Sequence, residues 1–221
     1  MRLVTALLVK DEADRYLRPV LERCRSFSDE VLVLDDGSTD DTVHVAESLG
    51  CLVKQRPQSG MWGNESPARA ELWDRGAKLA KDGWLLICDG DQLLHGDPRP
   101  LCNTWEANAW SWPLYDCWDS EEQFRADGYW QGFRYARVWM VRPSAVPEGW
   151  KPDWTTSRNL HCGHLPPNFP LRALIAPDDL YWLHLGWLRE EHRLAKYRRY
   201  KEKASLLTPV ELAHVESIRD Q

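Results

Sequence analysis

Three acidic clusters carry the side chains best suited to chemistry in this 221-residue sequence. Asp89-Gly90-Asp91 places two carboxylates around one small residue, a spacing that can hold a hard divalent cation such as Mg²⁺ or Mn²⁺. A cation there would neutralise a diphosphate and stabilise it as it leaves. The same triplet is ordinary turn chemistry, so its place in the fold decides its meaning. Asp35-Asp36-Gly37-Ser38 offers a second carboxylate pair, able to accept hydrogen bonds from a base N–H or ribose hydroxyls. Thr39 and Asp40 suit the N-cap of the helix that follows. Asp11 and Glu12 form the third cluster.

The elements around these clusters give them a common location. Residues 3–9, 31–34, 51–54 and 84–88 are short apolar runs, as expected of strands buried on both faces. Helical patterns lie between them: one carries Tyr16, Leu17, Val20, Leu21 and Cys24, and the next carries Val43, Val45, Ala46 and Leu49. The third follows a Gly/Pro-rich loop and runs from Pro67 to about Lys81. This alternation predicts an α/β fold with a doubly wound, mainly parallel sheet. Ligands of such sheets bind beyond the carboxyl ends of the strands, where all three acidic clusters fall. Further strands are expected at 107–114, 134–141 and 181–185. A basic helix is expected at 188–206, and a last helix with Thr208 as N-cap and Pro209 at its first position.

Composition is that of an ordinary globular protein, with 43% hydrophobic and 28% charged residues. The net charge of −6 argues against broad binding to nucleic acid or anionic membranes. No stretch reads as a secretory signal or membrane span, and the scattered cysteines contain no C-x-x-C pair. A cytoplasmic protein with reduced core thiols is the expectation. Eight of the 13 tryptophans fall between Trp105 and Trp154, which suits either core packing or a stacking floor for a sugar. The helix at 188–206 interleaves Arg, Lys and Tyr, either as a solvated basic face or as an attractor of phosphates.

The motifs together resemble the family-two nucleotide-sugar glycosyltransferases. The resemblance rests on Val9-Lys-Asp-Glu12, Val33-Leu-Asp-Asp-Gly-Ser-Thr-Asp-Asp-Thr42, Ser66-Pro-Ala-Arg-Ala-Glu71 and Ile87-Cys-Asp-Gly-Asp91, in that order. It covers at least residues 3–92. Leu183-His-Leu-Gly-Trp187 followed by Lys196-Tyr-Arg-Arg-Tyr200 is similar to a C-terminal segment of some small members. The resemblance implies a GT-A, Rossmann-like fold: a mixed, mainly parallel sheet with flanking helices and a C-terminal helical segment. One domain is expected over 1–221, with a nucleotide-sugar-binding half (1–92), an acceptor-binding half (93–187) and C-terminal helices (188–221).

The roles that follow from the resemblance are specific. Glu12 and Asp36, with Asp35 close by, would line the nucleoside pocket, and Arg69 would sit near the base and diphosphate; Asp36 and Arg69 would lie on strand-end or loop-proximal surface. Asp89 would touch ribose or metal, Asp91 would ligate the metal, and His184 would complete the metal or diphosphate site. The cofactor would be Mn²⁺ or Mg²⁺. The donor would be a nucleotide-sugar, a UDP-sugar first. The reaction would be hexosyl transfer, with inversion, to a glycan hydroxyl or a modified nucleobase.

Two positions depart from the family pattern. Ala70 stands where some members have Asn, and Asn159-Leu-His-Cys-Gly-His164 has Cys162 where many carry an acidic base. His161 and Asp153 are therefore the candidate bases, with Asp119 third. The same His-Cys-Gly-His run lacks a second ligand pair at zinc spacing. A nucleotidyltransferase would want a Gly-rich basic phosphate loop after the first strand, which Val9-Lys-Asp-Glu-Ala13 does not supply. A non-catalytic nucleotide-sugar-binding module is the alternative from another class, and the intact Asp89-Gly-Asp91 with His184 speaks against it.

Overall fold

The computed structural model describes residues 1–57, 60, 63–156 and 163–219. Strands β1 (Leu3–Val9), β2 (Glu30–Asp35), β3 (Leu52–Gln55) and β4 (Trp84–Asp89) are parallel, in the spatial order β3-β2-β1-β4. Helices α1 (Leu17–Phe27), α2 (Thr42–Ser48) and α3 (Ser66–Ala80) connect them. Alternate strand residues separate onto the two faces, as the pleat requires. Leu3, Leu7, Val33 and Leu86 join Leu17, Val20, Leu21 and Val45 on one side. Val4, Ala6, Leu8, Leu34 and Ile87 meet Ala68, Leu72 and Trp73 of α3 on the other. Gly76 of α3 lies so close to the sheet that a Cβ there would come 2.7 Å from Leu85 Cδ1.

Strands β6 (Ala109–Trp112), β9 (Arg137–Val141) and β10 (Ala173–Ile175) extend this layer to seven strands, with β9 antiparallel to both its neighbours. The expected strand 107–114 is divided at Pro113, which cannot donate a ladder hydrogen bond. Its continuation, β7 (Leu114–Trp118), leaves for a second sheet of order β5-β11-β7-β8. That sheet also holds β5 (Gln92–His95), β8 (Ser120–Phe124) and β11 (Tyr181–His184). Helices α4 (Glu190–Glu202) and α5 (Pro209–Ser217) close the chain. Thr208 and Glu211 form a capping box at the start of α5.

The tryptophans of the second half are mostly core. Trp110, Trp112, Trp130 and Trp139 are buried, whereas Trp105 is 68% exposed. Trp139 donates its indole N–H to Trp112 O at 2.8 Å, and Trp110 donates to Leu101 O at 3.2 Å. The five described cysteines are buried and unpaired. Among the described residues no helix is long and apolar enough to cross a membrane.

Candidate active site

The parallel register brings the acidic clusters to one sheet edge. Val9 at the end of β1 lies opposite Asp35 of β2, and Leu8 lies opposite Asp89 of β4. Their environments then diverge. Asp35 is fully buried and accepts hydrogen bonds from the backbone N–H and hydroxyl of Ser38. Asp36 is also fully buried, accepting from Gly60 N–H at 2.8 Å and from Arg56. The expected surface position is thus not where Asp36 sits. The two carboxylates hold the loop after β2, Arg56 and the Gly60 N–H, and neither lines the cleft described below.

Glu12 and Arg69 do face that cleft. Glu12 Oε1 accepts from Arg15 at 2.8 Å, while Oε2 is buried without a hydrogen-bond partner. Burial, and then the charge of Asp91, raise the Glu12 carboxyl to about 7 against the pull of Arg15. Arg69 is 5% exposed, contrary to the expected surface position. Its Nε donates to Glu65 at 2.8 Å and its Nη2 to Asp89 Oδ1 at 2.7 Å. Nη1 is buried with no partner. The other Asp89 oxygen lies 3.2 Å from His164 Nε2. Burial alone would raise the Asp89 carboxyl, but Arg69 and His164 hold it well below the usual carboxylate range.

The second sheet completes the site. Asp89-Gly90-Asp91 is the turn by which the chain passes from β4 into β5. In that small sheet β11 runs between β5 and β7, so His184 pairs with Gln92 on one side and Asp116 on the other. His184 Nδ1 lies 2.7 Å from Asp116 Oδ1, and its Nε2 faces Asp91 Oδ2 at 3.5 Å. Burial disfavours charge on the ring, yet Asp91 and the Asp116 hydrogen bond raise it to about 9. From α4, Lys196 donates to the same Asp91 oxygen at 2.9 Å. Sequence reasoning missed Asp116, and it named Lys196 only as part of a basic helix, solvated or drawing phosphates.

These groups line a cleft of about 840 Å³ between the donor-side strand ends, the segment around His164 and the C-terminal helices. Trp130, Trp139 and Trp187 contribute aromatic wall, so the tryptophan-rich half supplies both core and cleft. Asp153 is outside the cleft lining, its carboxylate accepting Thr155 N–H at 2.8 Å. Asp119 receives Arg193 at 2.7 Å and borders a separate surface groove. His161 lies outside the described residues.

Asp91 and His184 have the chemistry of a divalent-cation site. A carboxylate faces an imidazole nitrogen, and the other ring nitrogen is held by Asp116 in the manner of metal-bound histidines. Asp89 is different, since Arg69 and His164 each engage one of its oxygens. Among the described residues no group of three or more His, Cys, Asp or Glu side chains converges as a ready-made metal site. Two protein ligands would leave the remaining positions to phosphate oxygens and water, a common arrangement for Mg²⁺.

Fold and site together define an α/β protein with a cleft of mixed acidic and basic side chains at the carboxyl ends of its parallel strands. Comparison with known proteins makes the class specific. Residues 9–109 match the model of Glycosyl transferase family 2. An uncharacterised glycosyltransferase of Rickettsia prowazekii is 33% identical over 93 residues, covering 42% of this chain and 29% of that protein. The match therefore spans under a third of the relative's length. The crystal structure of Staphylococcus aureus TarS aligns over 99% of this chain and 42% of its own, at 14% identity and a TM-score of 0.53. A shorter TarS structure in complex with UDP aligns over 99% of this chain and 69% of its own, at 14% identity and a TM-score of 0.51. Residues 9–109 thus carry the likeness to Glycosyl transferase family 2, and the fold is the GT-A-like fold of its structural neighbours.

Proposed function

We propose that this chain is a metal-dependent hexosyltransferase, moving a sugar from a nucleotide-sugar to an acceptor hydroxyl with inversion. The observation that carries the reading is the convergence of Arg69, Asp91 and His184 in one cleft beyond the parallel strands. The unpartnered Glu12 Oε2 would accept a hydrogen bond from the nucleoside, and the unpartnered Arg69 Nη1 would donate to the donor. Asp35 and Asp36 would support the nucleoside side of the cleft by holding the loop after β2. Asp91 and His184 would hold Mn²⁺ or Mg²⁺. A bound divalent cation supplies counter-charge to the departing diphosphate.

The acceptor would enter along the wall that includes Gly163 to Pro167. Inverting transfer needs a base within hydrogen-bond reach of the acceptor hydroxyl. His161, two residues before that wall, is the leading candidate, with Asp153 the alternative. The acceptor would be a glycan, or a modified nucleobase.

UDP-sugars are the first donors to test, because UDP is bound in the TarS neighbour. A thermal-shift panel of UDP-, GDP-, dTDP- and CMP-sugars with and without Mn²⁺ identifies the donor. A ligand at 100 times its Kd stabilises the native state by about 2.7 kcal/mol. The true donor should stand out with Mn²⁺, and failure of every nucleotide-sugar to raise Tm would overturn the assignment.

A further inference from the structure

Lys196 is a charged side chain in an enclosed position. It is 8% exposed, its ammonium lies 4.4 Å from the centroid of the Trp187 ring, and it reaches Asp91 Oδ2 at 2.9 Å. Backbone packs directly against this contact: a Cβ on Gly186 would fall 2.1 Å from Asp91 Oδ2 and 2.2 Å from Lys196 Nζ. The glycine of Leu183-His-Leu-Gly-Trp187 thus makes the slot in which the ion pair lies. His184 Nε2 faces the same oxygen at 3.5 Å. One carboxylate oxygen therefore serves the lysine and also faces the imidazole that would share a cation with it. Arg15 and Arg199 line the same cleft.

We infer that Lys196 is an exchangeable counter-ion that makes divalent cation and nucleotide-sugar bind cooperatively. This rests on the nucleotide-sugar reading above. In the free protein Lys196 neutralises Asp91. A dication binding by itself must compete with that ammonium, and the displaced lysine would then face the cleft without a partner, a costly state for a buried charge. The donor's diphosphate provides the partner. Lys196 moves to a phosphate oxygen, Asp91 Oδ2 is released to the cation, and each ligand raises the other's affinity by the same factor. A compact charge on a flexible four-carbon stem suits this exchange better than a planar guanidinium.

The test measures Mn²⁺ affinity from the electron paramagnetic resonance signal of unbound Mn²⁺, with and without UDP. It uses the wild type, Lys196→Met and Lys196→Gln. In the wild type UDP should tighten Mn²⁺ binding by about tenfold or more, the scale of one hydrogen bond to a charged group. Both variants should bind Mn²⁺ alone about tenfold more tightly and lose most of the effect of UDP. Circular dichroism and Tm establish that each variant folds. If either folded variant binds Mn²⁺ alone no tighter than wild type, or keeps the full coupling, the counter-ion role is wrong. A wild type that binds Mn²⁺ but none of UDP, GDP, dTDP or CMP would instead overturn the nucleotide-sugar reading beneath it.

Discussion

His184 and Asp116 are 68 residues apart in sequence, yet they pair across adjacent strands with Nδ1 and Oδ1 only 2.7 Å apart. The contact fixes the plane of the imidazole and points its Nε2 at Asp91. It also ties β7 to the Asp89-Gly90-Asp91 turn that follows β4. Asp116 thereby governs how His184 is presented to Asp91.

The first expected outcome follows from that contact. Asp116→Asn keeps the shape of the side chain and removes its charge. Loss of such a partner of a metal-bound histidine typically costs about tenfold to a hundredfold in metal affinity. Titration of the variant with Mn²⁺ in the presence of UDP should show a fall of that size, with circular dichroism establishing that the variant folds. An affinity equal to that of the wild type would mean that His184 is oriented without help from Asp116.

Arg69 has a structural duty beside any duty to substrate. It bridges Glu65 and Asp89 while 5% exposed. Arg69→Ala leaves two carboxylates with a buried interaction broken, which costs about 3–5 kcal/mol. Arg69→Lys should recover only part of this, because one ammonium cannot reproduce the guanidinium fork. Urea unfolding midpoints decide the matter. A loss below about 1 kcal/mol for Arg69→Ala would show that the bridge is dispensable, since surface ion pairs fall in that range.

The first half of the chain was legible because its physics is local. Strands buried on both faces read as continuous apolar runs, and each of β1, β2 and β4 runs straight into its carboxylates. The site itself was half legible. Glu12, Arg69, Asp89, Asp91 and His184 were named from sequence and meet in the cleft. Asp116 was not, because its role depends on the pairing of β11 with β7, a contact between distant segments with no short-range signature. Strand β5 is only four residues long and follows directly on the Asp89-Gly-Asp91 turn, so the second sheet stayed hidden. Lys196 read as one charge on a basic helix, either solvated or drawing phosphates, and the approach of Gly186 reveals that it is enclosed. Asp35 and Asp36 show the opposite case: they were read as lining a pocket from their strand-end position, whereas both are buried, Asp35 held by Ser38 and Asp36 by Arg56 and Gly60.

A pH experiment tests the environment of Glu12 in metal-free protein. Its carboxyl rises from 4.5 to about 7 on folding, through burial and the Asp91 charge. The folded state therefore holds this proton more tightly than the unfolded state does. The contribution to stability is complete below about pH 4.5 and is lost as pH rises toward 7. Glu12→Gln should remove that part of the slope. The variant should gain stability relative to wild type as pH is raised across the window, measured by urea unfolding in EDTA. A difference between the two proteins that stays constant from pH 4.5 to 7 would show that Glu12 does not titrate in this range.

The acceptor side is decided by a comparison of His161 and Asp153. Asp153 lies outside the cleft lining, and its carboxylate already accepts Thr155 N–H, so Asp153→Ala should transfer sugar at close to the parent rate. His161 precedes by two residues the stretch that lines the cleft from Gly163, so His161→Ala should lose transfer by about a hundredfold or more, the usual contribution of a general base. Donor and Mn²⁺ affinity should be unchanged in that variant, because the proton is taken only from the acceptor. If both variants transfer at the parent rate, neither is the base. Asp119→Ala would follow as a control, expected to leave transfer intact because Arg193 engages that carboxylate beside a different groove. The salt dependence of acceptor binding separates the acceptor classes in the same assay. A polyanion such as nucleic acid loses affinity steeply as salt rises, because binding it releases condensed counterions. A neutral glycan does not, and with a net charge of −6 on the chain the expected profile is nearly flat.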